Sequence, residues 1–433
     1  MKIAIVGSGI AGNGAALSLT LAGHQAIVYE RDLRPGGHSA TVNIDYLGAQ
    51  MAVDTGFIVY NELNYPNFTK LLEFLGVETQ PSNMSFAVSA DRGRFEWCGR
   101  DGVDVVSGLF AQWQNAFSPS YLNMLVQILR FQKHAKADLE SGRLGDMSLG
   151  DYMARFRFMR RLRDDYLLPM GAAIWSTSAR EMLQFPASGF LSFFDNHKLL
   201  EWNRPKWRTV TGGSRSYVER ITKYYKPHMR LGAAVVSVSR NPNGVEVVDS
   251  LGHRDLFDHV IIAAHAPDAL AMVNDPTDAE RAILGACRYS DNAVYLHRDE
   301  RLMPKRKRAW AAWNFLREGD SDDRKVAVSY WMNCLQNLDA ERPVFVTLNP
   351  PFEPDPELTF GRFNYAHPQY DWASLKAQSE LDDIQGKDRI WYCGAWTGHG
   401  FHEDGLVSGL KVAQALGAEA PWRQQDALKI AAE

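Results

Sequence analysis

Five residues into the chain, the run Lys2-Ile3-Ala4-Ile5-Val6 meets Gly7-Ser8-Gly9-Ile10-Ala11-Gly12, and few local patterns limit a fold as tightly. The first run is short, aliphatic and β-branched, as in a strand buried on both faces of a parallel sheet. From Ile10 to Leu21 small and aliphatic residues recur at helical spacing. Gly7 turns the chain, Gly9 lets backbone approach a pyrophosphate, and Gly12 lets helix and strand pack closely. The helix amino terminus then faces the phosphates. A second strand, Gln25 to Tyr29, ends in Glu30, where a carboxylate accepts hydrogen bonds from the ribose hydroxyls of an adenosine half. Strand, glycines, helix, strand and acid in this order specify a dinucleotide socket.

FAD rather than NAD is argued by the continuation Glu30-Arg31-Asp32-Leu33-Arg34-Pro35-Gly36-Gly37-His38. A second glycine pair just past the ribose acid requires a ligand longer than one dinucleotide half to thread here. Val53-Asp54-Thr55-Gly56 adds a further close-approach glycine. Near the other end, Arg389 to Ala395 reads as a strand ending in Gly394. Asp404-Gly405-Leu406-Val407-Ser408-Gly409 reads as a helix opening with small residues, again suited to a phosphate or an anionic ring.

Taken together these motifs resemble the flavin amine oxidase superfamily, which includes monoamine and polyamine oxidases, protoporphyrinogen oxidase and phytoene-type desaturases. The resemblance implies FAD contacts from Gly7, Gly9, Ile10, Ala11, Gly12, Glu30, Arg31, Gly36, Gly37, His38, Thr55, Gly56, Val235, Ala264, Gly394, Ala395, Gly405, Leu406 and Val407. It also implies that the last helix aims its amino terminus at the isoalloxazine, favouring the anionic reduced ring. Two positions depart from relatives. Ala395-Trp396 stands where an acid usually holds a ribityl hydroxyl, and His402 stands where amine oxidases place one wall of an aromatic cage.

The same resemblance implies a mixed α/β and α+β architecture. A Rossmann-type FAD-binding domain is assembled from 1–60, 207–266 and 387–420, and a mixed sheet with helices forms a substrate domain from 61–206 and 267–386; 421–433 is a tail. The strands near Val235, Val245 and His259 are expected beside the first sheet. Where monoamine oxidases carry a flavin-attaching cysteine, Phe363 to Pro368 has none, so the FAD is expected to be non-covalent. Tyr365, His367 and His402 become the candidate catalytic side chains.

The substrate half is rich in aromatic and methionine residues, including Met170, Trp175, Trp207, Trp310, Trp313 and Trp331. Most serve as core, yet an apolar tunnel also needs such a lining because it binds by area. Phe185-Pro186 and Phe193 to His197 are candidate tunnel walls. The expected reaction is desaturation or oxidation of an unsaturated or methyl-branched acyl chain, free or in a phospholipid, with hydride leaving carbon and a proton passing to His402, His367 or solvent. Gly398 to Gly405 also resembles a bacterial group of flavin proteins encoded near cyclopropane-fatty-acid-synthase-like methyltransferases, which implies a methylated acyl substrate. One alternative is an amine oxidase releasing hydrogen peroxide, needing an aromatic pair such as Tyr365 with Trp396. Another is a flavin-dependent isomerase returning the hydrogen it removes.

Net charge is -4, a mildly acidic balance that gives no electrostatic reason to expect nucleic acid. Four scattered cysteines and no metal-ligand spacing point to reduced thiols and no metal. With no signal-peptide pattern at Met1 and no long uncharged apolar stretch, a cytoplasmic protein is expected. Arg155 to Arg163, basic and apolar at helical spacing, is the candidate for contact with the inner membrane surface; the competing reading is a basic face whose stems cover a core.

Overall fold

The computed structural model describes residues 1–100, 104–201, 205–319 and 327–423. The opening run is the centre of a five-stranded parallel sheet. Lys2–Val6 pairs with Gln25–Glu30 on one side and His259–Ile262 on the other; Met229–Leu231 and Ile390–Tyr392 form the edges. Ile3, Ala4 and Ile5 are fully buried, as their aliphatic run requires when both faces are covered. Ile10–Leu21 packs on one face, and the C-terminal helix His402–Ala415 crosses it closely. A glycine at 409 permits this approach, since a Cβ there would lie 2.0 Å from the carbonyl oxygen of Ala11.

The strands after Val235 stand beside this sheet as expected, Val238, Val245 and Val247 sharing a core with Ala4, Val6, Ile27 and Tyr29. Val235–Asn241, Gly244–Asp249 and Arg254–Phe257 form their own three-stranded antiparallel sheet, and of this block only His259–Ile262 joins the parallel sheet. Hairpin pairing is local and satisfies the backbone without a crossover, whereas a parallel neighbour needs one.

The second layer is a seven-stranded mixed sheet in the order Thr359–Pro368, Tyr289–His297, Phe345–Leu348, Ala327–Trp331, Trp313–Arg317, Phe86–Ala90, Phe95–Gly99. One face is covered at one end by a helical cluster including Pro119–Ser141, Leu168–Trp175 and Ala187–Asn196. The other end is covered by the hairpin Thr41–Tyr46 and Ala49–Asp54. Near the expected boundaries at 60/61 and 206/207, a small sheet joins Trp207–Val210 to Tyr60–Asn61 and Thr79–Pro81. Helix Pro66–Phe74 buries Phe68, Leu71 and Leu72 in the core of the nucleotide side. Of the expected tail, 424–433 lies outside the described residues.

The basic segment is not one amphipathic helix. Helix Leu149–Arg155 stops, Arg157 takes φ 51°, and a new helical turn begins at Arg160. Arg160 and Arg161 pair with Asp164 and Asp165 at 3.0 and 3.1 Å, while Arg161 also lies 4.5 Å over the Phe95 ring. Arg161 is thereby held against the protein's own surface, its side chain 24% exposed, whereas that of Arg160 stays 74% exposed. No helix among the described residues is long and apolar enough to cross a membrane.

Candidate active site

Three glycine-bearing loops converge at the carboxyl ends of the parallel strands. Ser8 fastens them: its N–H and Oγ–H donate to Glu30 Oε2 at 3.0 and 2.6 Å, and its Oγ accepts from Gly36 N–H at 3.2 Å. Asp32 N–H donates to Glu30 Oε1 at 2.9 Å, leaving the carboxylate 6% exposed and fixed in orientation. Gly36 and Gly37 both take positive φ (113° and 55°), which a side chain rarely tolerates, and Gly37 abuts the Cα of Gly9. A Cβ on Gly56 would meet the carbonyl oxygen of His38 at 2.2 Å. On the C-terminal side, Gly394 N–H donates to Ser408 Oγ at 2.9 Å, and Gly405 contacts Ile10 and Ala395.

Gly9 differs from its neighbours. A Cβ on Gly7, Gly12 or Gly56 would collide with backbone, but one on Gly9 would meet nothing within 4 Å. Open space beside a helix amino terminus, enclosed by glycine loops, is the cradle a pyrophosphate needs. Among the positions expected to touch cofactor, Val235 and Ala264 keep partial exposure at strand ends. Leu406 is buried in the core, its side chain against Gly14, whereas Val407 reaches an open cavity. Arg31 is turned outward to Asp268 at 3.7 Å.

Above this cradle stand His38, Tyr365 and His367. The His38 ring lies 5.2 Å from Tyr365 and 5.7 Å from His367, centroid to centroid. Tyr365 is pinned by a 2.7 Å hydrogen bond between its hydroxyl and that of Thr55; His367 Nδ1 lies 2.9 Å from Ser176 Oγ. Burial pushes the His38 pKa down to about 3 and that of His367 to about 4, so both rings are neutral near pH 7. Both nevertheless retain accessible surface. Both rings are thus half-buried, with one edge not covered by protein.

His402 stands apart from that pair. Its ring stacks on Phe57 at 3.8 Å and 10°, meets Phe68 edge-on, and its Nε2 lies 2.8 Å from the Tyr217 hydroxyl. Burial lowers its pKa to about 3. Trp396 is 2% exposed, with its Nε1–H donating to the Ala264 carbonyl at 3.2 Å. The aromatic pair Tyr365 with Trp396 is therefore not formed, because the indole is consumed by the nucleotide-side core. Of the tunnel candidates, Phe185, Phe193 and Phe194 are core residues, packed with Trp175 and Phe190. Asp195, Asn196 and His197 instead line a surface cavity of about 570 Å³ together with Asn64, Phe401 and Glu403.

An aromatic row comes from cross-strand register. Phe86, Trp313 and Tyr330 are directly paired across three strands, while Phe363 and Tyr365 lie on the edge strand, separated from them by Val346 and Leu296. Trp313 and Tyr330, both half-buried, touch the helical core and the hairpin core alike. The sequence marks these as aromatic strand residues, but nothing local shows that they share a row. Asp54 was also missed as a site residue: at 1% exposure it accepts hydrogen bonds from Thr41, Ser214 and Gln336. Its signal was adjacency to Thr55.

Neutral buried histidines make acid destabilising. His402 and His297, the latter with a pKa lowered to about 4 by burial, fall below the unfolded value of about 6.5. Their contribution is fully present above pH 6.5 and lost as pH falls toward 4 and 3, at about 1.4 kcal/mol per pH unit each. Guanidinium unfolding at pH 7.5 and 5.5 should show this, and His402→Gln should reduce the difference by one proton's worth. An unchanged pH dependence in that variant would count against neutral burial of His402.

Comparison with known proteins gives concordant results. The family model described as flavin containing amine oxidoreductase matches residues 10–334. AofH of Mycobacterium tuberculosis, whose name places it among flavin-containing monoamine oxidases, is 24% identical over 292 residues, covering 64% of this chain and 59% of AofH's own length. Putrescine oxidase bound to putrescine superposes with a TM-score of 0.70 at 15% identity, over 96% of this chain and 98% of that one. A CLA-producing fatty acid isomerase from P. acnes gives 0.67 at 14% identity, over the same shares. At such identities the superpositions establish a shared fold.

Proposed function

The chain belongs to the flavin-containing amine oxidoreductase family, and from that premise we propose that it is an FAD-dependent oxidoreductase removing hydrogen from an apolar chain, an unsaturated or methyl-branched fatty acyl group. The observation that carries this reading is the sheet face on which Phe86, Trp313 and Tyr330 stand in one row and aliphatic Val346 and Leu296 lead on to Phe363 and Tyr365, beside the neutral imidazoles of His38 and His367. Such an apolar face binds by area. Structural neighbours include both putrescine oxidase and a fatty acid isomerase, so the fold does not choose between the substrate classes. The position of His402, enclosed by Phe57 and Tyr217, removes one wall of the cage that an amine reading needs.

Bound FAD supplies a two-electron acceptor. The protein's residues do the rest. Trp313 and Tyr330, half-buried on the sheet face, offer an acyl chain apolar surface; the Thr55–Tyr365 bond fixes the phenol. His367, oriented by Ser176, is the neutral base positioned to receive a proton at an imidazole nitrogen. Cys393, fully buried with a pKa pushed up to about 12, stays protonated, which fits a non-covalent cofactor.

Anaerobic mixing with methyl-branched or unsaturated phospholipid should bleach the flavin's visible absorbance, while mono- and polyamines in air should yield no peroxide. Peroxide from amines with no response to lipid would overturn the reading. Product mass separates oxidation, two hydrogens lighter, from isomerisation, unchanged. Across an acyl series kcat/KM should climb about fourfold per added methylene while the apolar face has room, corresponding to about 0.8 kcal/mol each. A flat series would show that chain burial does not drive recognition.

A further inference from the structure

We propose that this protein balances the charge of the FAD pyrophosphate with the imidazoles of His38 and His265, so that the cofactor binds together with protons taken from solvent. His38 directly follows the Gly36-Gly37 pair that abuts Gly9, and His265 directly follows Ala264, two residues past strand His259–Ile262 in the segment packed on Gly7. The two rings lie 6.2 Å apart. Both follow segments packed against the Gly7–Gly9 loop, where Gly9 faces open space.

Of the two arginines of this loop, Arg31 is turned to the surface, and Arg34 supplies a single positive charge near His38. Arg34 donates to the carbonyl oxygens of Gly37 at 3.1 Å and of Pro35 and Ser39 at 3.5 Å, and Arg31 pairs with Asp268 and Asp32 at the surface. Helix Ile10–Leu21 offers its amino terminus, with no basic residue in its first turn, and that partial charge falls well short of two. The imidazoles are the remaining groups in the cradle that can become cations. A metal does not explain them, since no group of three such side chains among the described residues could hold one.

Every charged or titratable neighbour bears on the balance. His38 lies beside Tyr365, His367 and His265 and feels the more distant His402 and Arg34; the three histidines and Arg34 oppose a proton on it. His265 stacks on Tyr289 at 4.4 Å; Asp268, 3.7 Å away, and Asp291 favour its proton, and Arg31 opposes it. Burial holds both rings neutral without ligand. A bound dianion reverses the sign of the local field and makes the imidazolium the favoured form. Each uptake adds one solvent proton to one imidazole nitrogen, and no electron moves.

The inference rests on the FAD site alone, not on the substrate reading. FAD dissociation from the full-length holoprotein is followed by flavin fluorescence on dilution at pH 6, 7 and 8, where the pyrophosphate itself does not titrate. The dissociation constant should tighten about tenfold per pH unit for each proton taken up as pH falls. His38→Gln and His265→Gln, which keep a neutral donor, should each flatten the profile by up to one proton while retaining flavin at pH 8. ADP-ribose displacing FAD should show the same pH dependence, and adenosine none. A pH-independent constant, or variants with the wild-type slope, would overturn the proposal. Failure of ADP-ribose to compete at any pH would overturn it together with the nucleotide site.

Discussion

Gly9→Val gives a folded protein that purifies without flavin, whereas Gly12→Val fails to reach the native structure. The two glycines belong to one motif and look equivalent in sequence. In the structure a Cβ on Gly12 would stand 2.0 Å from the Gly7 carbonyl oxygen and 3.3 Å from Ala263 Cβ. Both are parts of the sheet–helix junction, so the collision is with backbone and not with a side chain able to swing away. Overpacking of this kind costs about 1–3 kcal/mol where relaxation is easy and more where it is not. Ala11, one residue away, also bears the contact with Gly409, so a displaced first helix disturbs the C-terminal helix too. Gly9 has open space instead, and valine there occupies the volume a pyrophosphate requires. Circular dichroism with thermal unfolding reads the first property, and the ratio of visible to ultraviolet absorbance reads the second. A yellow Gly9→Val protein would show that the cradle lies elsewhere.

Asp54→Ala lowers stability by about 4 kcal/mol, from the several buried donors it leaves unpaired at about 1–3 kcal/mol each. Thr41 Oγ1, Ser214 N and Oγ, and Gln336 Nε2 all donate to this carboxylate at 2.6 to 3.0 Å. Those partners come from the hairpin, from the start of helix Arg215–Thr222 and from the segment after Ala327–Trp331. One side chain thus ties the nucleotide side to the substrate sheet. Burial, only partly offset by these hydrogen bonds, raises its pKa to about 6. For a carboxyl raised above its unfolded value of 3.8, the native state binds the extra proton. Its contribution is therefore largest below pH 3.8 and declines as pH rises to 6, opposite in sign to that of the histidines. Urea unfolding of wild type and Asp54→Ala at pH 7.5 tests the magnitude. A loss under about 1 kcal/mol would mean that the three segments hold together without it.

The amino-acid sequence by itself determined the nucleotide half. Strand Lys2–Val6, helix Ile10–Leu21 and strand Gln25–Glu30 form where their residues indicate, because a buried parallel strand, a glycine turn and a small-residue helix are local demands written within thirty residues. The C-terminal strand and helix were legible for the same reason, although the helix begins at His402, two residues before the expected start. Only the tertiary structure decided the rest. Phe86, Trp313 and Tyr330 make one row through strand register between segments far apart in the chain, and register has no local signature. His402 and Trp396 read as substrate-facing from their places in a motif, yet Phe57, Tyr217 and Ala264 draw them into cores. Side-chain direction there is settled by which neighbours can bury the ring and satisfy its polar atom, and those neighbours are supplied by long-range packing.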